Sequence, residues 1–176
     1  SLNPGHVYPM EPLPMRGYRN KMELKVAFKD DGSVILGNYS YNSHDVVPLS
    51  GCIVQCYENM QLYQKLLDFA NKPEHRETME NIHTITVRTL GEQQHCTFAL
   101  KVPTNSEEAL APFKQFFDEN ESISRLEVYG EVGNLLTQMR DKKPFNFMNR
   151  NWRVSPNSFF QNNLEGAEAI LHTLIS

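Results

Sequence analysis

Arg19, Lys21 and Lys25 fall at alternate positions of the stretch RNKMELK, with Glu23 the one acid on the same parity. In an extended strand, side chains two apart leave the same face at a spacing of about 7 Å. That roughly matches the repeat of phosphates along one strand of nucleic acid. A row of cations of this kind can hold an RNA backbone, and it is equally the solvated face of an antiparallel sheet. Arg88, in HTITVRT, and Arg150 and Arg153 near the C-terminus would extend the track if they share that face.

Other combinations with chemical potential are incomplete. Cys52 and Cys56 are separated by three residues, within the spacing used by zinc sites, but no second pair completes four ligands. The six histidines show no ligand spacing. Gly130 and Gly133 follow a strand-like run, yet a dinucleotide or S-adenosylmethionine (SAM) loop needs more closely spaced glycines and further strand–helix units; a hairpin turn is the expectation. No nucleophile elbow or Ser/His/Asp signature is present.

One stretch fits none of these. VSPNSFFQNN (154–163) runs like a strand into a proline turn, then places Phe159, Phe160 and Gln161 where the backbone is turning.

The elements that must position these residues follow from periodicity. NKMELKVAF alternates, with Met22, Leu24, Val26 and Phe28 inward; KDDGS is a hairpin turn and VILGNYSY the returning strand. The residues from 43 to 52 read as a connection. A helix is expected from Cys56 to Asn71 with a stripe of Cys56, Met60, Tyr63, Leu67 and Ala70. HTITVRT and HCTFALKV are strands, Ser106 to Asn120 a helix with Pro112 marking its first turn, SRLEVYGE a strand, RNWRVS a last short strand, and Leu164 onward a helix. The expected fold is α+β: a mostly antiparallel sheet with helices on one face, containing the split βαβ pattern of ferredoxin-like folds.

A chain of 176 residues can bury one substantial core, and 40% hydrophobic with 22% charged residues is ordinary for a globular protein. No apolar run is long enough for a membrane span, no secretion signal is visible, and three cysteines favour a reducing, cytoplasmic setting. Net charge is −4 but unevenly spread: Arg16 to Lys29 carries +4, Arg140 to Arg153 carries +4, and Ser106 to Glu131 carries −5. Such poles steer phosphates through the local field.

Together, GYRNKMEL (17–24), TVRT (86–89) and VSPNSFFQNN (154–163) resemble, in order and spacing, the central domain of the SAM-dependent RNA methyltransferases that make 5-methyluridine in transfer and ribosomal RNA. The resemblance runs from about Arg16 to the C-terminus. It implies an extended lead-in over 1–15, a central RNA-positioning domain over 16–163, and over 164–176 the start of a helix leading to a SAM-binding catalytic domain of the same chain.

By that resemblance, Phe159 packs beside a uridine extruded from its stack, and Gln161 reaches the SAM and uracil pocket. Arg19 contacts RNA, with Lys21 and Arg88 as further contacts. Cys52 resembles the position of a fourth iron–sulfur ligand, so a cluster is possible in a parent protein but not on these residues alone. The family's cysteine nucleophile, general base and glycine-rich cofactor loop have no counterpart here. The chain is therefore expected to be inactive by itself, with no membrane partner. The alternative is a stand-alone RNA-binding module; a third reading, a ferredoxin-like domain binding small molecules or proteins, predicts no RNA affinity.

Overall fold

The computed structural model describes residues 13–104, 106–140, 143–155 and 158–175. Residues 1–12 of the expected lead-in, Lys142, the turn residues Pro156 and Asn157, and Ser176 lie outside the described residues. Seven strands form one sheet in the order β3-β2-β1-β4-β5-β6-β7: β1 Lys21–Phe28, β2 Val34–Tyr39, β3 Val46–Pro48, β4 Ile82–Leu90, β5 Gln93–Leu100, β6 Ile123–Tyr129 and β7 Leu135–Met139. Only β5 and β6 are parallel neighbours; the other pairs are antiparallel. Helices α1 (Tyr57–Ala70), α2 (Arg76–Glu80) and α3 (Glu107–Asp118) contribute to one core against the sheet. A separate hairpin, β8 Phe145–Phe147 and β9 Arg150–Trp152, precedes α4, Leu164–Ile175.

The fold is α+β with a mostly antiparallel sheet, as the alternation predicts. The βαβ pattern is present in one of its two expected forms. β2 and β4 run parallel, joined through α1 with β1 inserted between them, so this unit is split. The second unit is corrected: β5 and β6, joined by α3, are immediate neighbours and nothing separates them. The N-terminal strand already fills the slot beside β4, and the tight β4–β5 turn at Gly91 sends β5 to the free side.

Four further corrections have local causes. The 43–52 connection contains β3, which needs Gly37: a Cβ there would sit 1.8 Å from the Val47 carbonyl oxygen. The buried face of α1 is Asn59, Leu62, Tyr63, Leu66, Phe69 and Ala70, with Met60 and Leu67 on its flank; a fully buried asparagine disguised the stripe. In α3, Ser106 caps the helix through Oγ accepting from the Ala109 N–H at 3.1 Å, so the helix starts before Pro112 and continues past it. Burial of Phe113, Phe116 and Phe117 offsets the backbone hydrogen bond that proline removes. The stretch between SRLEVYGE and RNWRVS, which the sequence pattern leaves without an element, contains β7, and Gly130 to Gly133 is the β6–β7 turn, closed by the Gly130 N–H donating to Asn134 O at 2.9 Å.

The sheet face opposite α1–α3 is polar. On β6, Arg125 is ion-paired with Glu127, both almost fully buried, and Arg125 Nη2 also donates to Gln138 Oε1 at 2.7 Å. The Tyr129 hydroxyl donates to Glu127 Oε2 at 3.0 Å. Burial first, and the Glu127 carboxylate second, push the Tyr129 phenol up to about 12. Below the ordinary phenol value of 10.0 both folded and unfolded chains hold this proton. Above it the unfolded chain releases the proton first, so this contribution to stability is lost as pH rises toward about 12. Ultraviolet difference titration should show Tyr129 ionising late, together with Tyr63, whose phenol burial also raises, and Glu127→Gln should lower the Tyr129 midpoint alone while leaving it above an ordinary phenol. An unmoved midpoint would rule out the carboxylate's contribution.

Candidate nucleic-acid interface

The three stretches that carry the family resemblance lie far apart in sequence and meet at one end of β1 and β4. Asn20, on the inward parity of β1 with Met22 and Leu24, is where they join. Its backbone N–H donates to Asn162 O at 2.9 Å, its Nδ2 to Gln161 O at 3.0 Å, and its carbonyl accepts from the Thr89 N–H at 2.8 Å. Thr89 Oγ1 donates to Asn59 Oδ1 at 2.8 Å, Asn59 Nδ2 to Gln55 Oε1 at 3.0 Å, and Gln55 Nε2 to Lys21 O at 3.1 Å. Asn20, Gln55, Asn59 and Thr89 are all buried. Inside the protein each of these groups costs about 1–3 kcal/mol if left unpaired, which makes the set cooperative.

Arg88 does not extend an exposed track, correcting the expectation from strand parity. It is 2% exposed, and its guanidinium donates to Ser155 O at 3.4 Å and Ser158 O at 3.1 Å. Burial lowers its pKa from the ordinary arginine value, and it stays cationic because that value is so high. Arg88 is thus a strut beneath the segment that carries the two phenylalanines. The rest of the track is partly self-neutralised: Glu23 lies 3.8 Å from Lys21 Nζ and 3.7 Å from Lys25 Nζ, and Lys25 also donates to Thr84 Oγ1 at 2.7 Å. Arg19 is exposed; its backbone N–H donates to Val54 O and its carbonyl accepts from the Cys56 N–H, fixing where the side chain starts.

The two adjacent phenylalanines part company. Phe160 joins a small second core with Leu90, Phe145, Phe147, Val154 and Leu164. Its ring meets Phe145, Phe147 and Trp152 edge-on at centroid distances of 5.9–6.1 Å. Phe159 is 86% exposed. Gln161 is exposed, held by its carbonyl to Asn20. Asn163 Oδ1 then accepts from the Gly166 N–H at 2.9 Å and caps α4.

Neither expected cofactor finds a complete site among the described residues. Gly130 and Gly133 are used by a hairpin turn, and the Asn134 amide sits 2.7 Å from where a Gly130 Cβ would lie, so no cradle for SAM forms there. Cys52 is a half-buried free thiol, burial raises the Cys56 thiol pKa, and no three metal-binding side chains converge among the described residues.

No protein-family model matches the chain. Among curated proteins it is 25% identical, over 191 aligned residues, to YwfF of Lactococcus lactis subsp. lactis, described as an uncharacterized RNA methyltransferase; the match covers 88% of this chain and 37% of that protein. The family resemblance holds. Among solved structures, the Pyrococcus abyssi tRNA (uracil-54, C5)-methyltransferase in complex with S-adenosyl-L-homocysteine superposes with a TM-score of 0.67 at 15% identity, covering 92% of this chain and 41% of that one. The chain thus spans about two fifths of the length of these RNA methyltransferase relatives.

Sequence reasoning found Arg19, Phe159 and Gln161 at this end of the fold and missed the residues that unite them: Asn20, Gln55, Asn59 and Thr89. One signal was readable, an asparagine immediately before β1 on the parity of its core-facing residues. Arg88→Met should leave the sheet folded but remove the guanidinium from the Ser158 carbonyl and from one side of the Ser155 carbonyl, which keeps its bonds from Ser158. Hydrogen exchange should then speed up at the amides of residues 158–162 and stay unchanged in β4 and β5. Unaltered exchange in the turn would mean that Asn20 holds it alone.

Proposed function

We propose that this chain is the substrate-positioning part of a SAM-dependent RNA (uracil-C5) methyltransferase, holding RNA and presenting an extruded uridine to a catalytic domain of the same protein. The observation that carries this reading is the Phe159 ring, 86% exposed on a turn that a buried arginine and a buried asparagine clamp to the sheet. A fixed, exposed aromatic costs its own hydration and earns a role as a stacking platform, worth about 1–3 kcal/mol per base. A base that must be modified has to leave its stack, and an aromatic beside the vacated space stabilises the extruded state.

Gln161, one residue beyond Phe160 and equally held by Asn20, offers an amide donor and acceptor to the uracil edge or to polar atoms of SAM. Arg19 and Lys21 contact phosphates, and Arg88 acts through the turn it supports. SAM is bound mainly by the catalytic domain, where covalent attack by a thiolate would make C5 of uracil nucleophilic toward the methyl group. Helix α4 follows the turn directly and exposes Ile170, Leu171 and Leu174, an apolar side suited to packing against that domain.

The chain should bind uridine-containing RNA weakly, with affinity falling steadily as salt rises. Phe159→Ala should weaken that binding by about 1–3 kcal/mol without lowering the thermal midpoint, since an exposed ring has little packing to lose. Equal losses of stability and binding would make Phe159 a core residue instead. Calorimetry of the chain with SAM should register no binding; micromolar affinity would place the cofactor site within these residues.

A further inference from the structure

The residues from 143 to 163 contain Lys143, Arg150 and Arg153 and no acid, in a chain whose net charge is −4. The same stretch holds five aromatic rings and seven asparagine or glutamine side chains. It contains the β8–β9 hairpin, which pairs with no strand of the main sheet. None of the ion pairs among the described residues includes Lys143, Arg150 or Arg153, and all three are exposed.

The hairpin is preformed. Its two central turn residues, Met148 and Asn149, have φ of 52° and 58°, the paired left-handed conformation of a tight two-residue turn. Asparagine tolerates that region, whereas methionine pays roughly 1–2 kcal/mol for it. Trp152 Nε1 donates to Phe147 O at 3.1 Å across the strands, and Asn146 Nδ2 to Asn151 Oδ1 at 3.2 Å on the opposite face. Phe145, Phe147 and Trp152 all meet the ring of Phe160, the residue next to Phe159. The hairpin and the exposed Phe159 ring are therefore joined through one shared aromatic cluster.

We propose that the β8–β9 hairpin is a second RNA-gripping element, holding the single-stranded nucleotides that flank the extruded uridine. This rests on the RNA-positioning reading above. Arg150 and Arg153 neutralise flanking phosphates, and the exposed part of Trp152, 42% of the residue, stacks on a neighbouring base. RNA fits this surface because it combines cations unopposed by acids, an aromatic partly open to solvent and neutral amides that read base edges. The rigid link through Phe160 keeps the flanking grip in register with Phe159.

The test uses the whole chain and a short fluorescein-labelled single-stranded RNA containing uridine, followed by anisotropy over a salt series. Trp152 is the chain's single tryptophan, so its emission reports on the hairpin and the aromatic cluster it joins. The paired variant Arg150→Gln/Arg153→Gln should bind about ten-fold more weakly at low salt, with the slope of log affinity against log salt reduced by about 1.4. RNA should quench Trp152 emission in the unaltered chain. Both arginines are exposed, so an unchanged melting curve is expected for the variant. If the unaltered chain binds and Phe159→Ala weakens it, while the double variant keeps full affinity and slope and Trp152 emission does not respond, the hairpin proposal is overturned and the Phe159 reading stands. If the unaltered chain binds no RNA, both are overturned.

Discussion

A buried chain of amide and hydroxyl hydrogen bonds, from Asn20 through Thr89 and Asn59 to Gln55, is the constraint on which the arrangement depends. It sits where the ends of β1 and β4 meet the start of α1, a place where backbone groups would otherwise lose water without gaining partners. Each member satisfies a group on a different segment, so removing one strands at least one other in a low-dielectric interior. Through Asn20, the same set reaches the carbonyls of Gln161 and Asn162. The position of the aromatic turn is thereby set by the sheet and not by its own short loop.

Arg88 completes that control from the opposite face of the sheet. Its neighbour across the β1–β4 pair is Lys21, which remains partly exposed, while Arg88 is covered by the turn it supports. A buried guanidinium is tolerable when carbonyl oxygens accept from it, and Ser155 and Ser158 do so. The polar sheet face is consequently less a free row of cations than a set of local pairings: Glu23 with its two lysines, and Arg125 with Glu127 and Gln138. Unopposed positive charge is concentrated instead toward Arg19 and the β8–β9 hairpin.

Two neighbouring phenylalanines illustrate how one turn serves stability and recognition at once. Phe160 consolidates a small core distinct from the main one, and its burial anchors the backbone that holds Phe159 in solvent. The aromatic cluster also fixes the hairpin, so the exposed ring and the cationic hairpin share a support. Helix α4 leaves from the same place, capped by Asn163 immediately after the turn. A polar clamp, an aromatic platform and an exposed apolar helix thus follow one another within a short length of chain.

Much of this was legible in the amino acids themselves. Alternation in NKMELKVAF and HTITVRT specified strands and their buried faces, since a period of two leaves little choice when one face is apolar. The start of α4 at Leu164 and the hairpin at Gly130 to Gly133 followed from local pattern and turn chemistry. What the sequence could not disclose was every feature created by residues meeting from afar. Asn59 looks like a solvated helix residue until Thr89 and Gln55 are beside it, Arg88 looks outward until the C-terminal turn folds over it, and β3 is invisible until Gly37 lets its backbone approach. Periodicity reports whether a side chain is apolar, and so by itself determined the central strands and most of their core face; the edge strands and the partners of buried polar groups depend on three-dimensional proximity, and only the tertiary structure decided them.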